Sequence, residues 1–102
     1  MSVEIDGIMK SLGNLPGVIG TMIMTYNGLP IRTSFKEQES IHYAALVSEF
    51  IRKAKSVIEP SLLNGTPIDV IRIRSNKNEI IIAPDSEGET ILIVVQDADA
   101  QA

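Results

Sequence analysis

Hydrophobic residues recur along this chain in two rhythms, and the switches between them mark the elements. Ile5, Ile8, Met9 and Leu12 fall three and four apart, the spacing of one helical stripe. Ser2 is placed to cap that helix, and Glu4 and Asp6 sit near its positive end. Gly7 weakens it slightly, and Gly13 with Pro16-Gly17 ends it. Residues 18–26 then read as a strand rich in β-branched residues and methionine. Asn27-Gly28 suits a two-residue type I′ turn, because both residues take positive φ at low cost. Residues 29–34 return as a short second strand, and Pro30, which has no amide hydrogen, puts that strand at a sheet edge.

Residues 40–59 go back to helical spacing. Tyr43, Leu46, Val47, Phe50, Ala54 and Val57 line one side, with Ala44, Ile51 and Ile58 widening the stripe. Glu49 and Lys53 are set for an i,i+4 ion pair, and Pro60 stops the helix. After a turn cluster at 64–67, three strands follow at 68–75, 79–83 and 90–96, separated by turns at 76–78 and 84–89. The tail from residue 97 is expected to fray. Helix, two strands, helix, three strands predicts an α+β fold, an antiparallel sheet built from hairpins.

Composition narrows function more than fold. The 102 residues suit one domain. Without cysteine there is no disulfide or thiolate metal site, and a single histidine, His42, is too few for a zinc site built on imidazoles. A net charge of −4 disfavours nucleic acid, whose binders neutralise phosphates with a basic surplus. The longest apolar runs, 80–83 and 91–95, are far too short to span a bilayer, and no basic-plus-apolar leader opens the chain. A cytoplasmic protein without membrane insertion is expected.

Candidate chemistry is sparse. His42 could act as a general base, but no signature supplies a nucleophile, so a surface histidine is the expectation. The segment 13–20 is glycine-rich yet has no Gly-Lys-Ser/Thr and enters a strand, unlike a phosphate-binding loop. The turn 85–89 is acidic but has no calcium-loop ladder, and a solvated hairpin turn is expected there. Asn64–Thr66 has the pattern of a glycosylation acceptor without a secretory context. Arg72 and Arg74, two apart on a strand, share a face. With aromatics at 4%, stacking on bases is not indicated. That face is expected to be solvated or ion-paired, with protein contact as the alternative.

The sheet edges carry the stronger inference. An edge strand presents unpaired N–H and C=O groups that soluble proteins blunt or cover. The Pro30 strand is short and blunted. The 68–75 strand is rich in isoleucine and has neither proline nor lysine. If it forms the other edge, a second copy pairing about a two-fold axis is the simplest cover. The wide apolar arc of the second helix could then serve both its own sheet and its mate.

The stretches GVIGTMIMTYNGLPIRTS, YAALVSEFIRKAKSVI, IRIRSNKNEIIIAPD and ILIVVQD resemble, in order and spacing, the roadblock-type dynein light chains. The resemblance covers roughly residues 3–97, a single domain expected over 1–97 with a short tail at 98–102. It implies a roadblock/profilin-like sheet in the order 2-1-5-4-3 with helices on its faces, continuous across a homodimer through the third strand. It also implies a non-catalytic protein with no cofactor, whose partner is the dynein intermediate chain. The place would be the cytoplasm and its microtubule-associated motor complex, with the cilium as a further site. Position by position, Ile68, Val70, Arg72 and Arg74 would lie at the strand junction. Tyr43, Leu46, Val47 and Phe50 would lie on the helix near the axis. Similar domains also act as regulators or scaffolds of small GTPases. Under that alternative Arg32 or Arg74 could approach a nucleotide. Two positions depart from the pattern: the 85–90 turn is long and lacks the usual aromatic, and Asn27 stands where an acidic residue is frequent.

Overall fold

The computed structural model describes residues 3–99, with side chains from residue 6 onward. The expected Ser2 cap, and the side chains of Glu4 and Ile5, lie outside this description. The elements are α1 (Val3–Gly13), β1 (Val18–Thr25), β2 (Pro30–Thr33), α2 (Glu37–Ser61), β3 (Ile71–Arg74), β4 (Asn78–Pro84) and β5 (Thr90–Asp97). All five strands pair antiparallel in the order β2-β1-β5-β4-β3. Order and class are those expected.

The two most apolar strands occupy the interior of the sheet. Met22 and Met24 of β1 face Ile93 and Ile91 of β5, and Ile82 of β4 faces Ile93. With Ala44 and Ile51 of α2 they form the buried core. Alternation sends Thr21, Ile23 and Val94 to the opposite face, which is buried where α1 lies on β1. An ion pair between Arg32 of β2 and Asp6 of α1, 2.9 Å, ties the helix to that face. Arg32 is therefore engaged inside its own chain.

The structure corrects several local expectations. The first hairpin does not turn on Asn27-Gly28 alone. The Gly28 N–H donates to the Thr25 carbonyl (3.1 Å), the Thr25 N–H to the Leu29 carbonyl (2.8 Å), and Gly28 takes φ +96° while Asn27 stays negative. This is a three-residue loop closed by a glycine bulge, the second commonest hairpin solution. Helix α2 starts at Glu37, earlier than its apolar periodicity, because its polar first turn carries no hydrophobic signal. The Lys36 N–H donates to the Glu39 carboxylate (3.3 Å), and Glu37 and Glu39 sit at the positive end. Pro60 lies inside the last turn, which closes through the Leu62 N–H to the Ile58 carbonyl at 2.9 Å. The i,i+4 ion pair on α2 is Lys55–Glu59, 2.7 Å, and not Glu49–Lys53.

The third strand is shorter than expected: only Ile71–Arg74 pair with β4. Ile68 precedes the paired segment and is buried in its own chain, with its N–H given to the Glu59 carboxylate at 2.8 Å. The tail also departs from expectation. β5 runs through Asp97, and Ala98 is buried with its N–H on the Lys77 carbonyl, 2.9 Å.

Candidate interaction surface

Helix α2 lies over β1 and β2 and leaves the β3–β4 side of the same sheet face open. Its residues divide accordingly. Ser40, Ala44, Ser48, Ile51 and Ala54 are buried. Leu46 and Phe50, one flank further round, remain 56% and 43% exposed. Between that flank and the strands runs an apolar groove of about 550 Å³, with Tyr43, Leu46, Val47 and Phe50 on the helix wall and Ile73 and Ile80 on the sheet wall. Ile19, Leu46, Phe50 and Ile73, all exposed, line this one concavity, and a contiguous apolar patch of this kind marks a contact surface more often than bare solvent.

One end of the groove is shaped by Phe35. Its ring packs edge-on against Tyr43, with centroids 5.2 Å apart and planes at 85°. It also rests directly on the backbone of Gly20, where a Cβ would collide with the ring. Gly20 leaves room for an aromatic ring to close against β1.

The groove meets a free edge. Among the described residues β3 pairs with β4 alone, so its outer amides and carbonyls have no strand partner. The opposite edge, β2, is four residues long and begins at Pro30. Ile71 and Ile73 point toward α2, and Arg72 and Arg74 toward the other face. There the buried Glu79 carboxylate accepts from Arg72 Nε (3.0 Å), Arg72 Nη2 (3.2 Å) and Gln96 Nε2 (2.9 Å). Those hydrogen bonds, Arg72 first, hold the Glu79 carboxyl below the ordinary range.

The other flank of α2 is polar. Ser48 Oγ donates to the Tyr26 carbonyl (2.6 Å), and Arg52 Nη2 donates to Ser48 Oγ (3.3 Å). Lys55 bonds Glu59, whose carboxyl is lowered first by that lysine and then by the Ile68 N–H. Burial raises the Tyr26 phenol, which donates to the Asp85 carbonyl at 3.3 Å.

The eight residues expected at a dimer interface thus separate into three groups. Tyr43, Leu46, Val47 and Phe50 come together in the groove. Val70, Arg72 and Arg74 form the second group: Arg72 and Arg74 lie on the free edge facing away from α2, and the exposed Val70 comes just before the paired strand. Ile68 is inside its own chain. Sequence reasoning missed Ile73, Ile80 and Phe35; for Ile73 the alternation that put Arg72 and Arg74 on one face already placed it on the other.

Chemistry-bearing residues elsewhere assemble little. His42 is exposed on α2, tilted against Tyr43 and without a hydrogen bond or ion pair among the described residues. The exposed Asp85–Glu89 turn does gather the carboxylates of Asp85, Glu87 and Glu89 within 4.8 Å. Among the described residues no helix is long and apolar enough to cross a membrane.

Comparisons with known proteins agree with this architecture. A Roadblock/LC7 domain from Streptomyces avermitilis superposes with a TM-score of 0.82 at 18% identity, over 94% of this chain and 80% of that one. MglB of Myxococcus xanthus gives 0.83 at 13% identity, over 97% and 80%. An MglB with a tetrameric arrangement gives 0.79 at 12% identity, over 95% and 73%. The family described as Roadblock/LC7 domain matches residues 4–97, and this chain belongs to it.

Proposed function

We propose that this protein is a homodimeric, non-catalytic roadblock-domain regulator or scaffold of a small GTPase in the cytoplasm. The observation that carries the reading is the junction of an apolar groove with an unpaired sheet edge, on a chain of this family whose structural likenesses include bacterial MglB. Two copies joined through β3 make one ten-stranded sheet. The same two-fold brings the open flanks of both α2 helices together and covers Leu46 and Phe50. The dimer then offers its partner two equivalent surfaces, and binding to both raises effective concentration without new kinds of contact.

Service as a dynein light chain is the second reading. It rests on the residue-level resemblance of the GLPIRTS and RIRSNKNEIIIAPD segments. The likeness to bacterial MglB puts the GTPase reading first.

Sedimentation at micromolar concentration should show a dimer. Adding the protein to small GTPases from its own cell should change the rate of GTP hydrolysis or nucleotide release, or retain the GTPase in one nucleotide state. Capture of a dynein intermediate chain, with no GTPase bound or altered, would reverse the order of the two readings. A monomer with its groove open in solution would reject the dimer in both.

A further inference from the structure

Residues directly opposite each other in an antiparallel pair point to the same face of the sheet. When a strand pairs with its own copy about a two-fold axis, even-numbered residues therefore face even-numbered ones, wherever along the strand the axis falls. Resting on the proposed β3 dimer, this parity brings Arg72 and Arg74 of both copies onto one face, the one away from α2. With the axis centred on Ile73, within β3, Arg72 of each copy faces Arg74 of the other, and because neighbouring strands lie about 4.8 Å apart the four guanidiniums form a single compact strip.

The strip is not neutralised. Arg72 is held by Glu79 at 3.0 Å. Arg74 is exposed at the end of β3, and among the described residues it forms no ion pair, although its field reaches Glu79. Each copy therefore brings one uncompensated positive charge to the axis, in a chain whose overall charge is −4. Like charges set opposite one another across strands are unfavourable, so the dimer carries a local electrostatic cost that an anion between the copies would remove.

We propose that this two-fold arginine strip is the docking site for a short acidic peptide segment of a partner protein. Planar guanidiniums take carboxylates two hydrogen bonds at a time, which suits glutamate and aspartate side chains laid along the strip. The net charge selects the class of partner. A long polyanion such as duplex DNA, or an anionic bilayer, extends well past the Debye length of about 8 Å and meets the negative remainder of the dimer. A short acidic segment meets the strip alone. Binding at the axis also links to assembly: the segment tightens the dimer, and the dimer tightens the segment by the same factor.

The test is fluorescence anisotropy of a labelled hexaglutamate peptide titrated with the full chain, with sedimentation of the same samples. The wild-type dimer should bind the peptide, bind it less as salt rises, and dissociate less readily in its presence. Arg74→Gln should stay folded and dimeric and lose about tenfold in affinity, the scale of a lost charge-assisted hydrogen bond. Lys77→Gln, an equal change of charge on the adjoining turn, should lose less than about twofold, as surface charges off the contact contribute little. A dimer that does not bind hexaglutamate overturns the inference and leaves the proposed function standing. Equal binding by wild type and Arg74→Gln, equal losses in the two variants, or tighter binding to a DNA duplex or to phosphatidylserine vesicles than to the peptide also overturns it. A wild-type monomer removes the strip and the dimer together.

Discussion

Two apolar stripes run side by side along α2 and meet different surroundings. The stripe facing β1 and β2 is made mostly of small residues, Ser40, Ala44, Ser48 and Ala54, with Ile51 as its one large member, and all are buried. Small side chains let the helix settle close to the sheet, and the hydroxyls are satisfied locally: Ser40 on Thr33 and the Lys36 carbonyl, Ser48 on the Tyr26 carbonyl. The stripe facing β3 and β4 is made of Tyr43, Leu46, Val47 and Phe50, which are larger yet only partly covered. Hydrophobicity alone does not tell which stripe is core. Size does, because a helix sits down where its residues are small and leaves its large ones for whatever comes next.

The hardest test of that division is a cavity on the closed side. Ile51 has no exposed surface, and Ile51→Ala should destabilise the fold by about 2–5 kcal/mol in denaturant titration. Next comes Gly20→Ala. The added methyl must displace the Phe35 ring, and overpacking of this kind costs about 1–3 kcal/mol. It should also lower the affinity of the dimer, because the displaced ring enters the groove. Leu46→Glu on the open side should change the stability of the diluted monomer by only about 0.5 kcal/mol and yet abolish the dimer in sedimentation. A large loss of monomer stability in Leu46→Glu would mean that the open flank is core after all.

The subtlest contrast is with pH. Glu79 and Glu59 both fasten the open side, one beside β3 and the other at the Ile68 amide just before it. Both carboxyls lie below their ordinary value of 4.5, Glu79 chiefly through Arg72 and Glu59 chiefly through Lys55. Their contribution to stability is complete above that value and is lost as pH falls through the lowered one in the fold. Amide exchange at residues 68–74 should therefore quicken below about pH 4.5 before that of β1 and β2 does. Loss of protection in β1 and β2 first would contradict this.

Much of this was legible in the residues, and the exceptions share a cause. Alternation and helical spacing located every element, since each carries its apolar residues at the period of its own secondary structure. Lys36–Glu39 buries little, so the true start of α2 carried no signal. Residues 68–70 look like more strand because isoleucine and valine favour extended backbone, but pairing starts only at Ile71, and the Ile68 amide goes to a distant carboxylate, Glu59, instead of to a strand. Asn27-Gly28 suggested a two-residue turn from local preference. The alignment of β1 with β2, which shifts between Ile23 and Met24, selects the longer loop. The candidate surface was half legible: the helix residues followed from periodicity, while Phe35 lies outside any periodic segment and becomes part of the groove only through Gly20.

The contact between Gly20 and Phe35 reaches beyond this one molecule. Two positions fifteen apart in the chain share a single volume, so they cannot vary independently over evolutionary time. Natural variants with a side chain at position 20 should carry a smaller residue at 35, and those that keep the aromatic should keep the glycine.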